Sequence, residues 1–98
     1  MFKLVYTAQA RRDYQKVKNS HLLVKIHELL AILETNPLQT PPPFERLEGN
    51  LDGAFSRRIN RQHRLVYELL NNEAGARDSS GELHEGIIKI IRLWTHYE

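Results

Sequence analysis

The chain has 98 residues, 41% of them hydrophobic and 27% charged, with a formal net charge of +2 at pH 7 and no cysteine. A chain of this length buries one modest core, so a single domain over residues 1–98 is expected, and its balance of apolar and charged residues argues against wholesale disorder. Disulfides, thiol nucleophiles and Cys-ligated zinc are excluded, and neither a membrane-spanning run nor a secretory signal is visible, so a cytoplasmic, membrane-free protein is expected.

Phe2, Leu4 and Tyr6 alternate around Val5, which predicts a short strand, apolar on most of both faces and therefore interior. Thr7 is placed to cap a helix over Ala8–Lys18, with Ala10, Tyr14 and Val17 as its buried stripe and Arg11, Arg12, Asp13, Lys16 and Lys18 on the outer face. Asn19 and Ser20 interrupt it. A second helix runs to about Glu34, burying Leu22, Leu23, Ile26, Leu29, Leu30 and Leu33, and the tight junction makes the two helices a hairpin that covers a sheet. His27 falls beside that stripe and is expected to be partly buried. His21 and His27 lack the i, i+4 spacing of a helical metal pair, so neither is assigned as a ligand.

Asn36-Pro37 ends the second helix, and Pro41-Pro42-Pro43 predicts a stiff extended spacer. A brief strand follows at Phe44–Leu47, and then a turn region at Gly49–Gly53. Ala54–Ile59 and Arg64–Leu70 form a β-hairpin about Asn60–His63. Residues 71–85 are polar and aperiodic and are expected to form a long mobile loop. Gly86–Trp94, with Ile87, Ile88, Ile90, Ile91 and Leu93, reads as a central strand. The fold class is α+β: a mainly antiparallel sheet of four to five strands with an N-terminal helical hairpin packed on one face.

The segment Ala54–Tyr67 holds four arginines and no acidic residue. A rigid strand pair displaying such charge suits an anion. Alternation puts Phe55, Arg57 and Ile59 on the apolar side and Ala54, Ser56 and Arg58 on the open side, with Arg64 starting the partner strand close by. Arg57 and Arg61 are read as structural or solvated. Cleavage of RNA without metal needs a base for the 2′-hydroxyl, an acid for the departing 5′-oxygen and cations for the transition state. Glu45, His96 and the arginines supply each type. Glu45, Glu48 and Asp52 lack metal-ligand spacing, so no metal or other cofactor is expected.

Asn36-Pro37, then Glu45-Arg-Leu, then Gly49-Asn-Leu-Asp-Gly-Ala-Phe-Ser-Arg-Arg-Ile59, His63-Arg-Leu-Val-Tyr67 and a terminal His96-Tyr97 resemble the YoeB/Txe branch of the RelE/ParE toxin superfamily. The resemblance covers nearly the whole chain. It implies a RelE-like β-α-α-β-β-β fold and a toxin of a type II toxin–antitoxin system, a ribosome-dependent mRNA endonuclease that cuts in the A site. It also implies the roles: Glu45 as general base, Arg64 on the scissile phosphate and His96 as general acid. Arg58 is a further phosphate contact and Tyr97 stacks on a base, while His63 belongs to the motif as a substrate contact or a turn residue. The implied partners are an acidic YefM/Phd-like antitoxin, the ribosome with its A-site mRNA, and a second copy of the chain. The chain departs from the usual pattern in Glu98 after the His-Tyr pair, in the length of 71–85 and in Phe55 where Trp is common. The alternative is a ParE-like toxin or basic binding module that inhibits a macromolecule by docking without catalysis.

Overall fold

The computed structural model describes residues 2–49, 53–71 and 86–96. Strand β1 (Lys3–Tyr6) leads into helix α1 (Ala8–Val17) and helix α2 (Leu23–Thr35), followed by β2 (Phe44–Arg46), β3 (Ala54–Arg58), β4 (His63–Asn71) and β5 (Gly86–His96). The five strands form one mixed sheet in the order β1-β5-β4-β3-β2. All neighbours are antiparallel except β1 and β5, which pair parallel with Leu4 opposite Ile88 and Tyr6 opposite Ile90. The expectation of an interior first strand is therefore corrected. β1 is an edge strand, half-buried along its length, because it has a ladder partner on one side only while Leu4 and Tyr6 pack on the core. β5, paired on both sides between β1 and β4, is interior, as its isoleucine run requires.

Both helices lie on one face of the sheet. Ala10, Val17, Ile26, Leu29 and Leu33 meet Phe55, Leu65, Tyr67, Ile88, Ile90 and Leu93 in a single buried cluster. Each large aliphatic side chain so buried contributes about 1.5–3 kcal/mol, which is what holds two short helices in place. Thr7 caps α1, its Oγ1 accepting from the Ala10 N–H at 3.0 Å. The Thr7 hydroxyl also donates to the Ile91 carbonyl at 2.9 Å, fastening the start of α1 to β5. Ser20 Oγ accepts from the Leu22 N–H at 3.2 Å, just ahead of α2. His27 is exposed rather than partly buried, its ring stacked on Tyr14 with centroids 6.3 Å apart.

Asp13 corrects the expected outer face of α1, for it is fully buried. Its carboxylate accepts from Arg92 Nε at 2.7 Å, Arg92 Nη2 at 3.3 Å, Gln9 Nε2 at 3.0 Å and the Leu93 N–H at 3.2 Å. Burial alone raises its pKa. The hydrogen bonds from Arg92, Gln9 and Leu93, with the Arg92 charge, outweigh that and hold Asp13 below the ordinary carboxylate value. The β4–β5 register shifts twice between Arg64 and Tyr67, and the Asp13 contacts fall on the irregular part of β5.

The connector between α2 and β2 is not an extended spacer. It curls around the guanidinium of Arg57, which is fully buried and donates to the carbonyls of Pro37, Gln39 and Pro42 at 2.9, 2.9 and 2.6 Å. Arg57 Nε donates to the Tyr67 hydroxyl at 3.2 Å, and that hydroxyl donates onward to the Pro37 carbonyl at 3.1 Å. Phe44 lies under the same guanidinium, 5.0 Å from ring centroid to cation, and stands edge-on to Phe55. Burial raises the Tyr67 pKa, opposed in part by the Arg57 charge and hydrogen bond. The expected mobile loop at 71–85 lies, from residue 72 onward, outside the described residues.

Candidate active site on the open face of the sheet

Strand alternation fixes which side chains leave the core. With Phe55 and Arg57 committed to the helical side, Ser56 and Arg58 point the other way, and the register carries the same face across to β2 and β4. Glu45 lies opposite Ser56, and Arg64 lies opposite Arg58. The hairpin that delivers Arg64 is closed by Asn60, whose Oδ1 accepts from the N–H groups of Gln62 at 2.9 Å and His63 at 2.8 Å. The sequence thus folds locally so that one carboxylate and two guanidinium groups share a face.

Arg64 Nη1 donates to Glu45 Oε2 at 3.3 Å and to Ser56 Oγ at 3.2 Å. The Arg64 side chain is 20% exposed and the Glu45 side chain 64%. With its carboxylate largely in solvent, the pair contributes only about 1 kcal/mol, so an incoming anion can displace the carboxylate. Among the described residues Arg64 makes no hydrogen bond through Nε or Nη2, which leaves a flat pair of donors for an oxyanion. Arg58 is exposed, and so is Arg61 in the turn.

The structure brings together Glu45, Arg58 and Arg64, three of the six residues expected at the site. His63 begins β4 and is half-buried, opposite His96, the last residue of β5. The backbone therefore carries His96 to the hairpin end of the sheet, one register position from Thr95, which pairs with Arg64. Tyr97 lies outside the described residues. Alternation along β3 puts Ser56 on the open face without giving it a role, since nothing in a lone strand serine signals that it touches an arginine of the next strand. No helix among the described residues is long and apolar enough to cross a membrane.

The profile of the YoeB-like toxin of bacterial type II toxin–antitoxin systems matches residues 6–77. This chain belongs to that family. A Toxin YoeB from Synechocystis sp. is 33% identical over 73 residues, 72% of this chain and 85% of the relative. Among solved structures, a YoeB/ParE toxin from Agrobacterium tumefaciens superposes with a TM-score of 0.76 at 26% identity, over 98% of this chain and 100% of that one. A YoeB–YefM complex from Staphylococcus aureus gives a TM-score of 0.69 at 33% identity, over 99% of each chain. The protein is thus a YoeB-family toxin of a type II toxin–antitoxin system. The matched residues of the family profile include Glu45, Arg58, His63 and Arg64 and end before β5.

Proposed function

We propose that this YoeB-family toxin is a ribosome-dependent mRNA endonuclease whose acid–base chemistry is carried by side chains without a metal ion. The observation that carries the reading is the loosely held Glu45–Arg64 pair, a base and a cation in contact on the open face with Arg58 beside them. A substrate phosphate binds Arg64 and Arg58 and takes the place of the Glu45 carboxylate. Glu45, released next to the phosphate it has yielded to, accepts the proton of the neighbouring 2′-hydroxyl. The 2′-oxygen then bonds to phosphorus, the bond from phosphorus to the 5′-oxygen breaks, and His96 gives that oxygen its proton. Arg64 and Arg58 offset the charge that builds on the phosphoryl oxygens. His63 flanks the site at the start of β4, and Tyr97 offers a ring on which a base can stack. The products are a 2′,3′-cyclic phosphate and a 5′-hydroxyl.

A toxin with this chemistry requires silencing, and a cationic face fits an acidic antitoxin segment that orders as it binds. The Staphylococcus aureus relative solved with YefM supports a partner of that kind. The direct test is cleavage of an mRNA engaged on ribosomes, followed by mapping and chemical identification of the new ends. Cuts at the A-site codon bearing 5′-hydroxyl and cyclic phosphate ends are expected, and Glu45→Gln or His96→Gln lowers the rate by about 10²-fold or more. Intact mRNA on stalled ribosomes, or full activity in both variants, would overturn the proposal; growth arrest with intact mRNA would point to docking without catalysis.

A further inference from the structure

A serine at the centre of a strand with no exposed surface has a hydroxyl that must find a partner, because leaving it dry and unpaired is unfavourable. Ser56 finds that partner in Arg64. Its Oγ accepts from Nη1 at 3.2 Å, the same nitrogen that reaches Glu45 Oε2 at 3.3 Å. Glu45 and Ser56 are register partners on adjacent strands, so the two acceptors grip one end of the guanidinium from neighbouring positions. They differ in what holds them. The Glu45 side chain is mostly in solvent, whereas Ser56 is enclosed between β2 and β4, paired with Glu45 on one side and Val66 on the other.

That difference matters when Glu45 acts. To take a proton from a 2′-hydroxyl the carboxylate must leave Arg64, and the guanidinium, at the end of a long side chain that is 20% exposed, then loses one of the two acceptors that fix its Nη1. We infer that Ser56 is a positioning residue: its hydroxyl keeps Nη1 of Arg64 in place once Glu45 has gone, so that Nε and Nη2 stay aimed at the scissile phosphate. The inference rests on the endonuclease reading. It assigns a fixed acceptor and a departing acceptor to one guanidinium, which lets the site hold its cation steady while its base moves.

The test measures single-turnover and steady-state cleavage of ribosome-engaged mRNA by Ser56→Ala, Ser56→Thr, Arg64→Ala and the Ser56→Ala/Arg64→Ala pair. Ser56→Ala is expected to lower kcat about ten-fold with KM within about two-fold, since a misplaced cation is felt most in the transition state. Ser56→Thr, which keeps the hydroxyl, restores most of that loss. In the Arg64→Ala background Ser56→Ala has no further effect. Unchanged kcat in Ser56→Ala, or the same fractional loss with and without Arg64, would overturn the inference while leaving the endonuclease reading intact. A wild-type protein that does not cut would instead overturn the endonuclease reading. The Ser56 contact is then decided by nitrogen-15 relaxation at Arg64 Nε, whose order parameter falls in Ser56→Ala if the hydroxyl restrains the guanidinium and stays constant if it does not.

Discussion

Arg57 is a buried cation whose partners among the described residues are three backbone carbonyls, one phenol and an aromatic face. Such a charge is tolerable only while it is well paired, and the planar fork of arginine, with four hydrogen bonds here, reaches acceptors that a lysine ammonium cannot serve together. Arg57→Lys is therefore expected to destabilise the fold by about 3 kcal/mol, seen as a fall of roughly 10 °C or more in Tm by calorimetry. Arg64→Lys, at a residue whose Nε and Nη2 make no hydrogen bond among the described residues, is expected to leave Tm within about 3 °C and to abolish the proposed bidentate phosphate binding. An equal drop in Tm for both would show that burial does not separate their roles. Alternation along β3 was enough to assign Arg57 and Arg58 to opposite faces. What alternation could not show is that the Pro37–Pro42 segment bends back to supply the carbonyls, since those contacts lie 15 to 20 residues apart in the chain.

At the level of elements, α1 is tied to the irregular part of β5 at two points, by Thr7 on the Ile91 carbonyl and by Asp13 on Arg92 and the Leu93 N–H. Because the folded-state pKa of Asp13 is lowered, its contribution is fully present above the ordinary carboxylate pKa and is lost as pH falls through the lowered value. Asp13→Asn is expected to cost about 2 kcal/mol at pH 7, less than a wholly buried pair because the Arg92 side chain is 35% exposed. The variant should lose less stability than the wild type on acidification, so the two denaturation midpoints converge at low pH. A constant gap between them would mean that Asp13 does not titrate into this linkage. The signal for burial was in the spacing, since Asp13 stands three residues after Ala10 and four before Val17, on the buried stripe. Charge hid it. The edge position of β1 was less legible, because apolar content reports burial and says nothing of which strand pairs in parallel.

Across the whole molecule, cations are spread over two sides: Arg11, Arg12, Lys16 and Lys18 are exposed on or just beyond α1, and Arg58 and Arg61 on or beside the sheet hairpin. The acidic antitoxin proposed above should therefore mask charge on more than one side. Co-expression with the neighbouring small open reading frame is expected to yield a complex that withstands moderate salt and in which an mRNA on ribosomes is no longer cut. Recovery of the toxin alone from that co-expression would contradict it. The helices, the hairpin and the open face were all legible from period, turn residues and the distribution of arginine. The meeting of Glu45 with Arg64 was not, because it depends on the β2–β3–β4 register across 19 residues of chain.

The enclosure of Arg57 by carbonyls has a genetic consequence. Selecting survivors from a population expressing a mutagenised copy of this toxin enriches any change that abolishes killing, and substitutions at neighbouring arginines will be recovered side by side for unrelated reasons. Those at Arg64, whose outward donors play no part in the core, are expected to leave a folded protein at normal abundance. Those at Arg57 are expected to act by lowering the amount of folded protein. A map of inactivating substitutions on this hairpin must be divided by protein abundance before it is taken as a map of the active site.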